Sequence, residues 1–430
     1  MDQTTTPTRL HERSTMCFRV TKSSPFLVRP SEATPAGSLL LTAMDSALAS
    51  MFVKALFVFE RPINQPAETV RKALERALVP YYPVAGRLAT GAHGHTIACT
   101  GEGVAFAAAS ASCTLQDARL AGARPAIPAE ELTLSYAGEF SCGGFVVGVT
   151  WDHVIADGAG MAQFLQAVGE LARGFASPAV VPVRMDKSSV PELPPPIISL
   201  TKALVSNAHN DFPSTYITVP LNCINRVKAD FRRRSLQGDE DNVAAPAACS
   251  AFDVFAAAIW KCRARATIAG AADQDAPMAL AFTGNVRKEA AVEDGFYGNL
   301  VTFGVAVATH GEVADGDILD LVKLIKDAKA RVPYTFIDGA AHIAGELGDR
   351  LRGLCAYNML YVSSWWNLGF DDVDFGGGGA VRVIGDLERK VAPACVLCGR
   401  KDKKEGIAAM AMCVKEEHKE AFREELGRYV

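Results

Sequence analysis

The sequence predicts a mixed α/β protein with two halves. Short apolar runs typical of strands alternate with segments of helical spacing on both sides of the middle of the chain. The 430 residues are enough for about two or three domains, each able to bury its own core. A stretch at 178–198 holds six prolines, which cannot continue a helix or a central strand. We therefore predict an N-terminal domain over 1–180, an extended crossover linker over 181–215 and a C-terminal domain over 216–430.

Individual strands and helices follow from the spacing of apolar residues. Phe52–Phe59 is short, apolar and rich in aromatic and β-branched residues, which predicts a strand. Residues 145–151 are apolar throughout and predict a buried strand. Residues 66–78 and 160–174 repeat their apolar positions at helical spacing, which predicts a helix in each. In the second half, the same criteria predict helices at 252–265 and 416–426, a helix that contains 322–328, and strands at 279–283, 300–308 and 359–362. The segment 408–414 precedes the last helix.

Charge and hydropathy argue against several classes of protein. The 44 Lys and Arg nearly balance the 48 Asp and Glu, which argues against nucleic acid as the main partner. The mean hydropathy is +0.12, but no run approaches the roughly 18–20 apolar residues of a membrane span. The polar N-terminus lacks the apolar core of a secretory signal. We expect a soluble cytoplasmic protein with neither a membrane span nor a nucleic-acid partner.

The eleven cysteines indicate neither a disulfide framework nor a metal site. Their number is odd and their spacing is irregular. Cys395 and Cys398 form the one CxxC pair, and a zinc site would need a second pair or nearby histidines. We predict that both are buried, reduced cysteines on a strand, and that the chain holds no metal.

The most informative segment is TWDHVIADG at 150–158, where an apolar strand runs into His153. Histidine, with an ordinary pKa of about 6.5, suits general-base chemistry near neutrality. Asp157, four residues later, either orients the imidazole or turns away from it, and the spacing alone does not decide. The alternative is a core histidine with a satisfied partner.

A second segment is dense in glycine, with Asp374 and Phe375 followed by four glycines. It lacks the Lys-Ser/Thr of a phosphate-binding loop, so a nucleotide site is not indicated. The segment predicts a turn where two backbones approach closely.

Taken together, these segments resemble the BAHD acyl-CoA-dependent acyltransferases of plants. HxxxDG lies mid-chain and DFGGG lies near residue 375, as in that family. Further similar runs, in family order, are YYPVAGRL at 81–88, CGGF at 142–145, AAIWKCR at 257–263, NVR at 285–287, YGN at 297–299 and SSW at 363–365. The resemblance extends from about residue 17 to 426.

The resemblance implies a chloramphenicol-acetyltransferase-like fold, with two similar mixed-sheet domains and a solvent channel between them. His153 would lie at the centre of the channel and take a proton from the acceptor, which attacks the thioester of acyl-CoA. Acyl-CoA would be a co-substrate, with no permanently bound cofactor, and the enzyme would be a monomer.

The resemblance also suggests roles for other residues. Ser363 or the Trp365 indole would donate to the oxyanion of the tetrahedral intermediate, or else Trp365 would only line the acceptor pocket. Asp157 would turn away and pair with Arg287, because a buried carboxylate needs such a partner. The turn formed by Asp374, Phe375, Gly376 and Gly378 would be structural.

Coenzyme A carries phosphates, and the basic helix at 252–265 is a candidate contact for them. Ser250, Lys261 and Arg263 are the expected cofactor-binding residues. The alternative is an ordinary solvated helix end, where the helix dipole already favours cations.

Two positions depart from the family pattern. Gly377 replaces the tryptophan of the usual DFGWG, which puts the local stability of the turn in question. Asp152 stands where a second histidine is common.

Three functions follow from the resemblance, and transfer to a small-molecule hydroxyl, giving an ester of plant specialised metabolism, is the leading one. Transfer to an amine or polyamine is the alternative, and such an acceptor would require acidic residues in the channel wall. The sequence alone does not show whether Asp338, Glu346 or Asp371 lies there. A degenerate or lyase-type protein is a third hypothesis. Aromatic acyl donors are favoured, and Leu300 after the YGN run disfavours malonyl.

Overall fold

The structure is a computed structural model built around two large mixed sheets. It describes residues 20–91, 94–120, 136–190, 192–193, 195–206, 212–237, 248–267, 274–337, 357–387, 393–398 and 406–429. The strands are β1 Val20–Lys22, β2 Phe26–Val28, β3 Ser38–Leu40, β4 Phe52–Phe59, β5 Arg87–Gly91, β6 Gly94–Ala98, β7 Val104–Ala111, β8 Tyr136–Phe140, β9 Phe145–Asp152, β10 Thr215–Pro220, β11 Pro277–Asn285, β12 Val301–Thr309, β13 Met359–Ser364, β14 Arg382–Leu387, β15 Ala394–Cys398 and β16 Gly406–Met412. The helices are α1 Ala43–Ala47, α2 Pro66–Ala77, α3 Gly158–Ala172, α4 Pro195–Ser206, α5 Leu221–Gln237, α6 Ala251–Thr267, α7 His310–Asp315, α8 Ile318–Ile337 and α9 Lys419–Gly427.

The first large sheet has the strand order β1-β7-β8-β9-β4-β14, and β2 also pairs with β7. β4 and β9 are antiparallel and almost wholly apolar, because both faces of this part of the sheet are covered. β14 comes from the second half of the chain, yet it pairs antiparallel with β4. The first sheet is therefore completed by a segment that lies more than two hundred residues away in sequence.

The second large sheet has the order β10-β16-β15-β13-β11-β12. β13 is a central strand of this sheet and lies parallel to both of its neighbours, β11 and β15. Helix α6 packs on this sheet and is buried along nearly its whole length, including Trp260 and Arg263. A third, small sheet joins β3, β5 and β6.

The predicted fold class, with two mixed sheets, is confirmed. The strand Phe52–Phe59 is found with its predicted bounds, and the other predicted strands and helices are found with shifted ends. The largest differences are in α8, which extends from Ile318 to Ile337 on both sides of the predicted 322–328. Before α9, the predicted helical start is a 3-10 turn at Glu416–His418. Cys395 and Cys398 are buried on β15 and unbridged, as predicted.

The crossover segment differs from the extended course that the prolines predict. Pro195–Ser206 is helix α4, because proline is tolerated in the first turn, where its missing N–H has no helical partner to lose. Earlier in the segment, Val183 pairs in parallel with Phe296. The division into domains at 181–215 stays a prediction.

None of the helices in the described part of the chain has both the length and the apolar composition required to cross a bilayer.

Candidate active site

A cavity of about 700 Å³ lies between the two large sheets. The first sheet contributes side chains of β4 and β9 to its wall, and the second contributes side chains of β11, β12, β13 and β15. Helices α6 and α8 add the rest of one wall. Six of the residues singled out in the sequence line this cavity, namely His153, Asp157, Ser250, Arg287, Ser363 and Trp365.

His153 follows the last residue of β9 and is half-buried. Its backbone N–H donates to the Met51 carbonyl at 2.9 Å, which holds the residue beside the start of β4. Its Nδ1 lies 2.9 Å from Oδ1 of Asn299. His153 is therefore held by hydrogen bonds at its backbone N–H and at one ring nitrogen.

The amide of Asn299 determines which imidazole nitrogen carries the proton. Its Nδ2 donates to the His153 carbonyl at 2.8 Å and to Oδ1 of Asp45 at 2.8 Å. Because both of these partners are acceptors, the amide oxygen must be the atom that faces the ring. Nδ1 of His153 accordingly donates to Asn299, and Nε2 is the nitrogen left to accept a proton.

Asp157 caps helix α3 and forms the predicted pair with Arg287. The two terminal guanidinium nitrogens of Arg287 donate to the two carboxylate oxygens at 2.8 Å each. The backbone N–H groups of Gly160 and Leu300 donate to the same oxygens at 3.0 and 3.1 Å. Burial alone would raise the pKa of Asp157, but the charge of Arg287 and these hydrogen bonds hold it below its ordinary value.

All four acceptor positions of the Asp157 carboxylate are thus occupied by protein donors. The carboxylate has no capacity left for a substrate or for the imidazole of His153. Of the two orientations that the sequence left open, the structure shows the one turned away from the histidine.

Ser363 and Trp365 stand at the carboxyl end of β13. The Trp365 ring is only 7% exposed and packs against Trp151, with ring centroids 6.1 Å apart. Ser363 contacts the hydroxyl of Tyr361, which also bonds Thr283. Burial raises the pKa of Tyr361 to about 12, so the phenol keeps its proton at neutral pH. The wall of the cavity here is a cluster of neutral hydroxyl groups.

Ser250 precedes helix α6, and its hydroxyl accepts from Lys329 at 3.1 Å. Lys329 also forms an ion pair of 2.7 Å with the buried Asp253. Lys329 lines the cavity and remains 38% exposed. Its ammonium lies 5.4 Å from the ring of Phe252, which provides a further favourable contact.

Lys261 and Arg263 do not reach the cavity, and this corrects the expectation that they bind coenzyme A. The Lys261 ammonium is buried and donates to the carbonyls of Ala314 at 3.0 Å and of Gly316. Arg263 is fully buried and donates to the carbonyls of Cys413 at 2.7 Å and of Tyr357. Cations that are held by buried carbonyls are not available to phosphates at the surface.

The glycine-rich turn lies outside the cavity and packs on helix α3. Oδ1 of Asp374 accepts from the N–H groups of Gly376 and Gly378, at 2.8 Å each. Both glycines have positive φ, 119° and 99°, which other residues rarely adopt. The ring of Phe375 is buried edge-on against Phe59, with centroids 5.3 Å apart.

The backbone of the turn closely approaches two other segments, as the run of glycines predicts. A Cβ on Gly169 of α3 would lie 2.5 Å from the Asp374 carbonyl oxygen. A Cβ on Gly377 would lie 2.9 Å from the carbonyl oxygen of Arg61. The backbone around Arg61 therefore closes over Gly377, where the family pattern has a tryptophan.

Asp152 holds the turn that precedes β4. Its carboxylate accepts from the N–H of Ser50 at 3.0 Å and from that of Val154 at 3.1 Å. Ser50 has a φ of 67°, in the left-handed region. Burial raises the pKa of Asp152 although these hydrogen bonds oppose the change.

Sequence reasoning does not identify Asn299, Asp45, Tyr361 or Lys329 as site residues. Asn299 belongs to the YGN run, so its signal was visible without a role. Asp45 follows Thr42 in a capping pattern, which indicates only a helix start. Tyr361 and Lys329 carry no signal in one sequence, because only the packing of β13 and α8 brings them to the cavity.

Each charged side chain among the described lining residues has a partner of opposite sign. Asp157 and Arg287 pair with one another, and Lys329 pairs with Asp253. Asp371 does not line the cavity, and Asp338 and Glu346 lie outside the described residues. The described wall is otherwise apolar and aromatic, with hydroxyl and amide groups.

Comparison with known proteins places this chain among transferases. A family model described as Transferase family matches residues 18–428. Acyl transferase 15 of rice (Oryza sativa subsp. japonica) is 36% identical over 96% of this chain and 99% of its own. Myricetin 3-O-glucosyl 1,2-rhamnoside 6'-O-caffeoyltransferase AT1 of Crocosmia x crocosmiiflora is 30% identical over 96% of this chain and 100% of its own. Benzyl alcohol O-benzoyltransferase of Petunia hybrida is 28% identical over 86% of this chain and 84% of its own.

Solved structures share the fold. Vinorine synthase superposes with a TM-score of 0.71 and 20% identity, covering 96% of this chain and 98% of its own. TRI101 of F. sporotrichioides, complexed with coenzyme A and T-2, superposes with a TM-score of 0.66 and 16% identity, covering 92% and 99%.

Proposed function

The chain belongs to the BAHD family of acyl-CoA-dependent acyltransferases, and on that premise we propose that it transfers an acyl group from acyl-CoA to the hydroxyl of a small, uncharged alcohol. His153 is the general base of this reaction. The observation that carries the proposal is the fixed tautomer of His153, whose Nδ1 donates to Asn299 in a cavity shared by both sheets.

In the proposed reaction, Nε2 of His153 accepts the proton of the acceptor hydroxyl as the oxygen attacks the thioester carbonyl. The bond from carbon to sulfur then breaks and the proton passes to the leaving sulfur, giving an ester and free coenzyme A. A thiol of pKa about 8.5 is a much better leaving group than an alcohol, so transfer in this direction is favoured. His153 is unchanged at the end of the cycle, as a general base must be.

The oxyanion that forms on the thioester carbon needs a hydrogen-bond donor. We assign this role to Ser363, because its hydroxyl lines the same cavity as His153. The Trp365 ring, which is 7% exposed and packed on Trp151, suits a wall of the pocket better than a donor. Asp157 and Arg287 support the loop that carries His153 and take no part in the chemistry.

The absence of an unpaired charge among the described lining residues supports uncharged substrates at the reacting centre. An ammonium acceptor placed there would lose its hydration without gaining a free carboxylate, which is unfavourable. Trp151, Phe252, Phe282 and Trp366 provide flat apolar surface in the wall, which favours aromatic groups on the acyl donor or the acceptor. Relatives named as a caffeoyltransferase and a benzoyltransferase support the same direction.

Steady-state kinetics with matched acceptors test the proposal. Benzoyl-, hydroxycinnamoyl-, acetyl- and malonyl-CoA are each assayed with benzyl alcohol and with benzylamine, which differ only in the nucleophilic group. We expect ester formation with an aromatic thioester and a higher kcat/KM for the alcohol. A higher kcat/KM for the amine would establish the amide-forming alternative, and no transfer with a wide panel of pairs would contradict acyl transfer.

The monomeric state and the cytoplasmic location stay predictions. Sedimentation in solution would test the first, and imaging of a tagged chain would test the second.

A further inference from the structure

Behind Asn299 lies a second tier of buried polar contacts that the acyl-transfer reaction does not itself require. Asp45 is fully buried, and its Oδ1 accepts from Nδ2 of Asn299 at 2.8 Å. Its Oδ2 accepts from the N–H and the hydroxyl of Thr42, at 3.0 and 2.8 Å. Arg184 lies 3.2 Å from the same oxygen, and the side chains of Arg184 and Asp45 are 4% and 1% exposed.

Arg184 and Asn299 are held by one piece of backbone pairing. The N–H of Val183 donates to the Gly295 carbonyl at 2.9 Å, and the N–H of Tyr297 donates to the Val183 carbonyl at 3.1 Å. The crossover segment is thereby aligned with residues 295–297, two positions before Asn299. The guanidinium of Arg184 is brought to Asp45 from this aligned segment.

We propose that Asp45 and Arg184 are positioning residues that fix the tautomer of His153 through the amide of Asn299. The two ends of an asparagine amide have nearly the same shape, so only the hydrogen-bond partners decide which end faces the imidazole. The His153 carbonyl occupies one N–H of the amide, and Asp45 occupies the other. Flipping the amide gives up both of these hydrogen bonds when Asp45 is present, but only the one to the His153 carbonyl when Asp45 is absent. A flipped amide makes Nδ1 of His153 an acceptor and Nε2 a donor.

Arg184 is needed because a buried carboxylate without a cation is costly. The Arg184 guanidinium, 3.2 Å from Oδ2 of Asp45, places that cation beside the carboxylate. The order of influence is therefore Arg184, Asp45, Asn299 and His153. This inference rests on the proposed function only in calling His153 a base, because the tautomer is a property of the free protein.

The test measures the tautomer directly, by NMR of the ring nitrogens in the full chain labelled with nitrogen-15 histidine. The His153 signal is the one that His153→Gln removes. We expect the wild-type ring to carry its proton on Nδ1. Asp45→Asn leaves one oxygen to serve both Asn299 and Thr42, so we expect a mixture of tautomers and a kcat at least about 10-fold lower with KM nearly unchanged. A complete change of tautomer in a catalytic triad costs about 10⁴-fold in kcat, which bounds the effect.

Two further variants separate positioning from general destabilisation. Arg265→Met removes another partly buried ion pair, of 3.3 Å with Glu425, and we expect it to keep the wild-type tautomer and kcat. The exchange Asp45→Asn with Asn299→Asp places a carboxylate, which can only accept, beside Nδ1 of His153. We expect this exchange to restore the Nδ1 proton and to raise kcat above that of Asp45→Asn alone.

A folded Asp45→Asn protein with the wild-type tautomer would overturn the inference. If Asp45→Asn does not fold, Arg184→Gln decides the matter by the same measurement, with Arg184→Lys expected to retain the tautomer. A protein that changes tautomer as expected but transfers no acyl group would overturn the proposed function and leave this inference standing.

Discussion

Nδ1 of His153 and Oδ1 of Asn299 are 2.9 Å apart, and the two residues lie beside strands of different sheets. His153 directly follows β9 of the first sheet, and Asn299 lies two residues before β12 of the second. The imidazole is thus oriented by the opposite half of the molecule. A base built in this way is complete only when the two sheets are packed together.

Replacing Asn299 with Ala should lower kcat by about 10²-fold or more, because the imidazole loses the contact that fixes its proton. KM for either substrate should change little, since Asn299 is buried and 2% exposed. Steady-state kinetics with both substrates varied would measure the two effects. Asn367→Ala is the matched control, because it removes an amide that lines the cavity without touching His153. An equal loss in both variants would contradict the assigned role.

Replacing Asp157 with Asn should lower the free energy of unfolding at pH 7 by about 3–5 kcal/mol, because Arg287 would keep its charge without a partner. The cap of helix α3 would be preserved, since Asn is also a good N-cap residue. Urea denaturation would measure the difference. Glu420→Gln, in an exposed pair with Arg423, is the control and should cost no more than about 1 kcal/mol.

The contribution of Asp157 should depend on pH with a defined sign. The pKa of its carboxyl is below the ordinary value in the folded protein, and about 3.9 when unfolded. The stabilisation is therefore fully present above roughly pH 4 and is lost as the pH falls through the folded pKa. Denaturation of wild type and Asp157→Asn at pH 7, 4 and 3 should give a difference that narrows toward the lowest pH. A difference that widens as the pH falls would contradict this account.

Restoring the family tryptophan by Gly377→Trp should destabilise this protein by about 1–3 kcal/mol, since any Cβ there lies 2.9 Å from the Arg61 carbonyl oxygen. The turn is outside the cavity, so kcat of the folded fraction should be unchanged. Thermal melting and steady-state assays would test both statements. Gly427→Ala is the control, because a Cβ there has no neighbour within 4 Å. A Gly377→Trp protein more stable than wild type would show that the backbone over Gly377 moves easily.

Replacing Lys261 with Met should lower stability by about 1–3 kcal/mol and leave KM for acyl-CoA unchanged. The substitution leaves the buried carbonyls of Ala314 and Gly316 without their donor. Melting and kinetics with varied acyl-CoA would separate the two effects. A several-fold rise in KM with unchanged melting would mean that Lys261 does reach coenzyme A.

Local features of the fold are predictable from the sequence because each strand and helix imposes its own period on the apolar residues. Phe52–Phe59 is found at its predicted bounds for this reason. The pairing of β14 with β4 is not predictable in the same way, because it joins segments that share no local signal. The helix at Pro195–Ser206 shows the converse error, since a cluster of prolines can begin a helix as well as prevent one.

The candidate site divides along the same line. His153, Asp157 and Arg287 belong to motifs that are visible in the sequence. The ion pair between Asp157 and Arg287 is present in the structure. Lys261 and Arg263 suggest a phosphate site because they are basic residues near a helix end. The sequence does not reveal that both side chains are buried and donate to backbone carbonyls. The orientation of the Asn299 amide depends on contacts with Asp45 and His153 that only the packed chain provides.

The central claim is that His153 accepts the proton of the acceptor alcohol, and kcat of His153→Ala at saturating acyl-CoA and alcohol tests it most directly. The account predicts a loss of about 10²–10⁴-fold, with acyl-CoA binding by the folded variant unchanged. A His153→Ala protein that keeps the wild-type kcat would contradict it.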